Sequence, residues 1–155
     1  MMHKAITGRI LEAAIKVHTA LGPGLLESTY DACLHYQFST DGLHFEHQVR
    51  LPVVYQGILL DAGYRIDFLV EKCVIVELKA VKKLLPLHTA QLITYLKVSE
   101  RKVGLLINFN VSHLRQGIRR VVNGYESEPE PDRTSGAPLT FVVKSSDAPN
   151  ESKDR

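Results

Sequence analysis

The hexapeptide Val74-Ile75-Val76-Glu77-Leu78-Lys79 constrains the fold more than any other part of the chain. Four of its residues are apolar and three of those are β-branched, so it reads as a strand in the interior of a sheet. Side chains two apart on a strand share a face, which places Glu77 and Lys79 together. Unpaired charges cost free energy in such a setting. A chain that keeps them there has a use for them, and a second carboxylate, Asp67, lies shortly before.

The rest of the chain supplies a frame for this strand. Ile6, Ile10, Ala13, Ala14, Val17 and Leu21 recur at helical spacing, predicting an amphipathic helix over 4–21. Gly22-Pro23-Gly24 ends it, and a second helix is expected from about Leu25 to Ser39. Strands follow at Gln48 to Tyr55, Ile58 to Leu60, Tyr64 to Val70 and Cys73 to Ala80. Gln56-Gly57 and Glu71-Lys72 are read as turns. His88 to Val98 reads as a helix, Val103 to Phe109 as an apolar strand and His113 to Val122 as a short last helix. The link from strand 73–80 through a helix to strand 103–109 has the length of a βαβ crossover. The expected class is therefore α/β, a central mixed sheet flanked by helices.

The 155 residues suit one domain, here 1–125, followed by a tail at 126–155. That tail begins Glu126-Ser127-Glu128-Pro129-Glu130-Pro131-Asp132, and its acidic, proline-broken composition predicts disorder. A short strand at Leu139 to Val143 is the exception considered within it. The net charge of +2 divides into a basic domain and an acidic tail, a balance compatible with a nucleic-acid partner. Cys33 and Cys73 stand in no metal-binding spacing, and a reducing cytoplasm is the expected location. No apolar run of about 18 residues is present, so a membrane span is not expected.

Asp67 and Glu77 lie on strands joined by the Glu71-Lys72 turn, which makes them cross-strand neighbours within about 5–8 Å. Two carboxylates that close repel unless a cation lies between them. Mg²⁺ takes hard oxygen ligands and keeps several waters. A bound cation acidifies water and polarises a phosphate, and Lys79 can orient that water or stabilise phosphoryl charge. The competing reading is a structural salt bridge from Lys79 to Glu77 or Asp67.

Asp67, Glu77 and Lys79 match the D…(D/E)-x-K signature, and the chain resembles the PD-(D/E)XK nuclease superfamily. Gln91-Leu92-Ile93-Thr94-Tyr95 is similar to the Q-x-x-x-Y element of its RecB-like branch, and Gly24-Leu25-Leu26-Glu27-Ser28-Thr29-Tyr30 to the motif of the bacterial GxxExxY proteins. Ile66 stands where the signature has proline. The resemblance implies a restriction-endonuclease-like core and a Mg²⁺- or Mn²⁺-dependent nuclease. It implies Asp67 and Glu77 as metal ligands, with the Leu78 carbonyl and Glu27 as further ones. Lys79, Glu77, Asp67 and Glu27 become the candidate catalytic residues. Gln91, Tyr95 and Tyr30 become candidate substrate contacts. Arg65, which shares a strand face with Asp67 by period two, is a further substrate contact or a brace for that carboxylate.

The expected partner is nucleic acid, DNA ahead of RNA, with a second copy of the chain as a candidate partner for cutting duplexes. Two other readings compete: a non-catalytic module binding nucleic acid or protein on a nuclease fold, and an unrelated α/β protein whose charges form ion pairs. The histidines His18, His35, His44, His47 and His113 have no ligand spacing and are assigned no metal.

Overall fold

The computed structural model describes residues 1–124 and the backbone of 141–142. Three helices, α1 (Lys4–Leu21), α2 (Glu27–Thr40) and α3 (Pro86–Ser99), flank a five-stranded sheet. The sheet holds β1 (Phe45–Arg50), β4 (Arg65–Val70), β5 (Val74–Lys79), β6 (Val103–Asn108) and β7 (Ile118–Val122), in the order β1-β4-β5-β6-β7. The β5–β6 pair is parallel and joined through α3, as the crossover length predicts; the other pairs are antiparallel. A second, smaller sheet contains β2 (Val53–Tyr55), β3 (Ile58–Leu60) and β8 (Phe141–Val142), ordered β3-β2-β8. No helix among the described residues is long and apolar enough to cross a membrane.

Alternation along β5 sorts its side chains between two cores. Val74, Val76 and Leu78 pack with Ile10, Ala13 and Val17 of α1 and Leu34 and Phe38 of α2. Ile75 packs on the opposite face with Leu92, Tyr95 and Leu96 of α3. By the same alternation Glu77 and Lys79 project on the α3 side. Glu71 and Lys72 both take left-handed φ, 51° and 56°, as the primed turns of tight hairpins require.

The sequence reading fails at two places. The segment 113–122 is not a helix: Leu114–Gly117 forms one 3-10 turn and Ile118–Val122 is the antiparallel edge strand β7. The β-branched residues Ile118, Val121 and Val122 favour the pleated surface offered by β6. Gly117 is also required to be small there, because an added Cβ would collide with the Asn108 carbonyl oxygen. The expected strand from Gln48 to Tyr55 is two strands in two sheets, β1 and β2. Pro52 lies at the break, where it offers no N–H to a ladder. The expected short strand at 139–143 appears as β8, parallel to β2. Disorder of the 126–155 tail concerns segments outside the described residues.

Candidate active site

The site lies where β4 and β5 part. Their ladder runs from Val70↔Val74 to Phe68↔Val76 and stops. At the next step, Glu77 Oε1 accepts the Asp67 N–H at 3.0 Å and Asp67 Oδ2 accepts the Leu78 N–H at 2.8 Å. The two carboxylates thus take up amides that the ladder leaves free, and each retains a second oxygen. In an extended strand the N–H and C=O of one residue point the same way. The Leu78 carbonyl therefore opens beside Asp67, while the Lys79 carbonyl is taken on the other side by Phe109 N–H at 2.9 Å.

The pleat of β4 is interrupted at the same point. Ile66 packs in the α3 core, whereas Phe68, two residues on, packs in the α1–α2 core. Across from Asp67 on β1, Gln48 has a φ of 52°, and the rungs His47↔Phe68 and Val49↔Ile66 skip the Gln48–Asp67 position. A left-handed glutamine costs about 1–3 kcal/mol and persists where its surroundings hold it. Here its amide donates to Asp31 Oδ2 at 3.1 Å and reaches Asp67 Oδ1 at 3.5 Å. Asp31 Oδ1 is 2.6 Å from His47 Nε2, and the His47 ring stacks on Phe68 with centroids 4.6 Å apart.

The electrostatics are those of a site short of positive charge. Burial, then repulsion from Asp67, pushes Glu77 well above its ordinary range. Burial is also the main cause of the rise at Asp67, with Asp31 adding to it and the Leu78 amide opposing it. Glu27, at the start of α2, is raised by the protein around it; Lys79 opposes this and Asp67 and Asp31 add to it. Glu27 keeps solvent contact, so its shielding is partial. Among the described residues the Lys79 ammonium makes no hydrogen bond and no ion pair within 4 Å, unlike Lys16, which pairs with Asp41, and Arg50, which pairs with Asp61. The structural salt bridge weighed for Lys79 is therefore absent, although its charge is felt at Glu27, Asp67 and Glu77.

On α3, Gln91 Nε2 donates to the Tyr95 hydroxyl at 3.0 Å. Burial, followed by the nearby Glu77 carboxylate, raises the Tyr95 phenol to about 12. Asp67, Glu77, Lys79, Gln91 and Tyr95 are thus brought together, with Glu27 within electrostatic reach. Tyr30 is not. Its ring is fully buried and its hydroxyl donates to Gly22 O at 2.6 Å and accepts from Leu25 N–H at 3.2 Å. The expected substrate contact is instead a latch for the loop between α1 and α2. Arg65 is exposed and makes no ion pair with Asp67 among the described residues, so the bracing role is not seen.

Two sets of residues escaped the sequence reading. Asp31, Gln48 and His47 form the chain that reaches Asp67. The spacing of Glu27 and Asp31, one helical turn apart on a shared face, was the available signal for the first of them. Asn108 is 2% exposed and clamps the chain just past Lys79, accepting from Val81 N–H at 3.1 Å and donating to Val81 O at 2.9 Å. Nothing in its apolar strand announced that role.

The donor set fits a hard divalent cation: the buried Glu77 carboxylate, the half-buried Asp67 carboxylate and a strand carbonyl, all oxygen, with no cation among the described residues paired to the two acids. No three or more His, Cys, Asp or Glu side chains converge as a ready-made metal cluster among the described residues. Mg²⁺ needs no such cluster, since it is usually held by one or two carboxylates with waters completing the shell.

A mixed sheet between helices, opened at one end by two carboxylates with a lysine beside them, defines a restriction-endonuclease-like α/β core. A model of the PD-(D/E)XK nuclease superfamily matches residues 4–121. The chain belongs to that superfamily. No curated protein and no solved structure matches the chain.

Proposed function

We propose that the chain is a divalent-metal-dependent nuclease hydrolysing phosphodiester bonds, of the GxxExxY type within the RecB-like branch. The observation that carries this reading is the exchange at the strand opening, where the buried Glu77 and the half-buried Asp67 stand side by side with no ion-paired base among the described residues. Asp67 and Glu77 would hold Mg²⁺ or Mn²⁺, with the Leu78 carbonyl as a further ligand and Glu27 supporting from α2. When bound, the cation supplies Lewis-acid polarisation of the phosphate and a more acidic water. Lys79 is free to face a phosphoryl oxygen and to orient the attacking water. The Asp31–Gln48 link holds Asp67 in place, and Gln91 and Tyr95 offer an amide and a neutral phenol to the strand. The proposed location is a reducing cytoplasm, and DNA is placed ahead of RNA.

The test is incubation of plasmid, single-stranded DNA and RNA with Mg²⁺ or Mn²⁺. Cleavage by the wild-type chain and its loss in Lys79→Ala and Asp67→Ala are expected; cleavage that persists in either variant overturns the assignment. The alternative is a non-catalytic binding module on the same fold. Calorimetry separates the two: nucleic-acid binding with no Mn²⁺ binding supports the module.

A further inference from the structure

A cavity of about 370 Å³ opens beside α3, lined by Tyr64, Leu87, His88, Gln91, Thr94 and Tyr95. It adjoins the carboxylates, since Tyr95 both lines it and feels the Glu77 charge. The Tyr64 and Tyr95 rings meet edge to face, with centroids 6.3 Å apart and planes 70° apart. Tyr64 is 43% exposed and Leu87 73%, so an aromatic and an aliphatic side chain stand at the mouth. The polar groups are of the kind that meet a base edge. Gln91 keeps its carbonyl oxygen and one N–H after bonding Tyr95. His88 accepts the Leu85 N–H at Nδ1, which leaves Nε2–H as a donor. Thr94 donates to Ala90 O and keeps acceptor capacity. Lys82 and Lys83 are exposed in the loop that leads from Lys79 to this helix, giving a basic approach for a phosphate backbone.

We infer that this cavity is a subsite for an unpaired nucleobase of the strand being cut, and that the substrate is single-stranded nucleic acid. A base inside a duplex has its faces stacked and its pairing edge occupied, and cannot enter a cavity walled by tyrosines. An unpaired base can, with its face on an aromatic ring and its edge toward Gln91 and His88. Stacking tolerates any base, so the subsite selects strandedness rather than sequence. This inference rests on the neighbouring carboxylates being the cleavage site.

The test is fluorescence anisotropy with Mn²⁺, using Lys79→Ala protein and a labelled 12-nucleotide DNA strand, alone or annealed into a blunt duplex. The single strand is expected to bind at least roughly tenfold more tightly than the duplex. Tyr64→Ala should weaken single-strand binding by about tenfold and leave duplex binding unchanged, while Tyr64→Phe keeps it. Ala90→Trp, at an exposed position on the cavity wall, should block the single strand without removing any core side chain. Equal binding of the two forms, or indifference to both Tyr64→Ala and Ala90→Trp, overturns the inference. Lys79-dependent cleavage by the wild-type chain is scored separately. Cleavage with no effect of Tyr64 or Ala90 sinks the subsite alone. A Tyr64-dependent strand preference without cleavage sinks the nuclease reading and leaves the subsite as a binding site.

Discussion

The two ends of the β4–β5 hairpin are built from the same strands and behave as opposites. At the turn end, Val70↔Val74, Leu69↔Ile75 and Phe68↔Val76 are paired by backbone and buried by apolar side chains from both faces. One step further the ladder stops, and two carboxylates serve as the acceptors. The closed end gains stability from burial and hydrogen bonding at once. The open end spends some of it to keep two acids side by side and a lysine without an ion pair. A sheet can thus present chemistry by withdrawing ladder bonds from one rung while the neighbouring rungs hold the strands in place.

Substitutions at the two ends should separate activity from stability. Lys79→Ala at the open end should lower cleavage by about 100-fold or more, with little change in the urea midpoint. If cleavage falls less than tenfold, the lysine is not at the chemistry. Ile75→Ala at the closed end removes a side chain with no exposure and should destabilise by about 2–5 kcal/mol in urea unfolding, with activity per folded molecule retained. Gly117→Ala tests the link between the ends of the sheet. The added methyl would meet the Asn108 carbonyl oxygen, opposite Lys79 in the β5–β6 register, at a cost of about 1–3 kcal/mol and with a loss of activity. Activity that survives the shift would show that the Asn108 clamp is not needed.

Glu77→Gln should act in the reverse sense on stability. It removes a group that burial makes costly to ionise, so the metal-free protein should gain stability at pH values above the raised Glu77 range, while cleavage is lost. The smallest effect is on pH dependence. Asp67 and Glu77 are raised above ordinary values of 3.8 and 4.5. The folded state therefore holds their protons more tightly than the unfolded chain. Their contribution is fully present below the ordinary values and is lost as pH rises through the raised ones. Metal-free protein should thus lose stability from these groups as pH rises from their ordinary values through the raised ones, and Asp67→Asn with Glu77→Gln should flatten that slope. An unchanged slope in the double variant would place the pH dependence elsewhere.

Much of this contrast was legible in the sequence. The apolar run Val74–Val76 and the tight turn at Glu71-Lys72 fix the hairpin, and the alternation of β5 puts Glu77 and Lys79 on one face. Counting from the turn makes Asp67 a near-opposite or diagonal neighbour of Glu77. The exchange of amides was not legible, because it depends on where the ladder stops, and strand periodicity is blind to that. The Asp31–Gln48–His47 chain joins α2 to β1, and its geometry depends on the left-handed Gln48, which no propensity favours. The segment 113–122 was misread because its apolar residues also fit a helical period, and only the free edge of β6 decides for a strand. Tyr30 was placed at the substrate by its motif, although a buried tyrosine beside a Gly-Pro-Gly turn serves the turn itself.

The central claim is that the open end of the hairpin holds a divalent cation. A crystal soaked in Mn²⁺ and measured at a wavelength where manganese scatters anomalously tests it most directly. The account expects a peak between Asp67 Oδ1 and the second oxygen of Glu77 that disappears in Asp67→Asn. Well-ordered carboxylates with no peak between them, or a manganese bound only elsewhere on the chain, would contradict it.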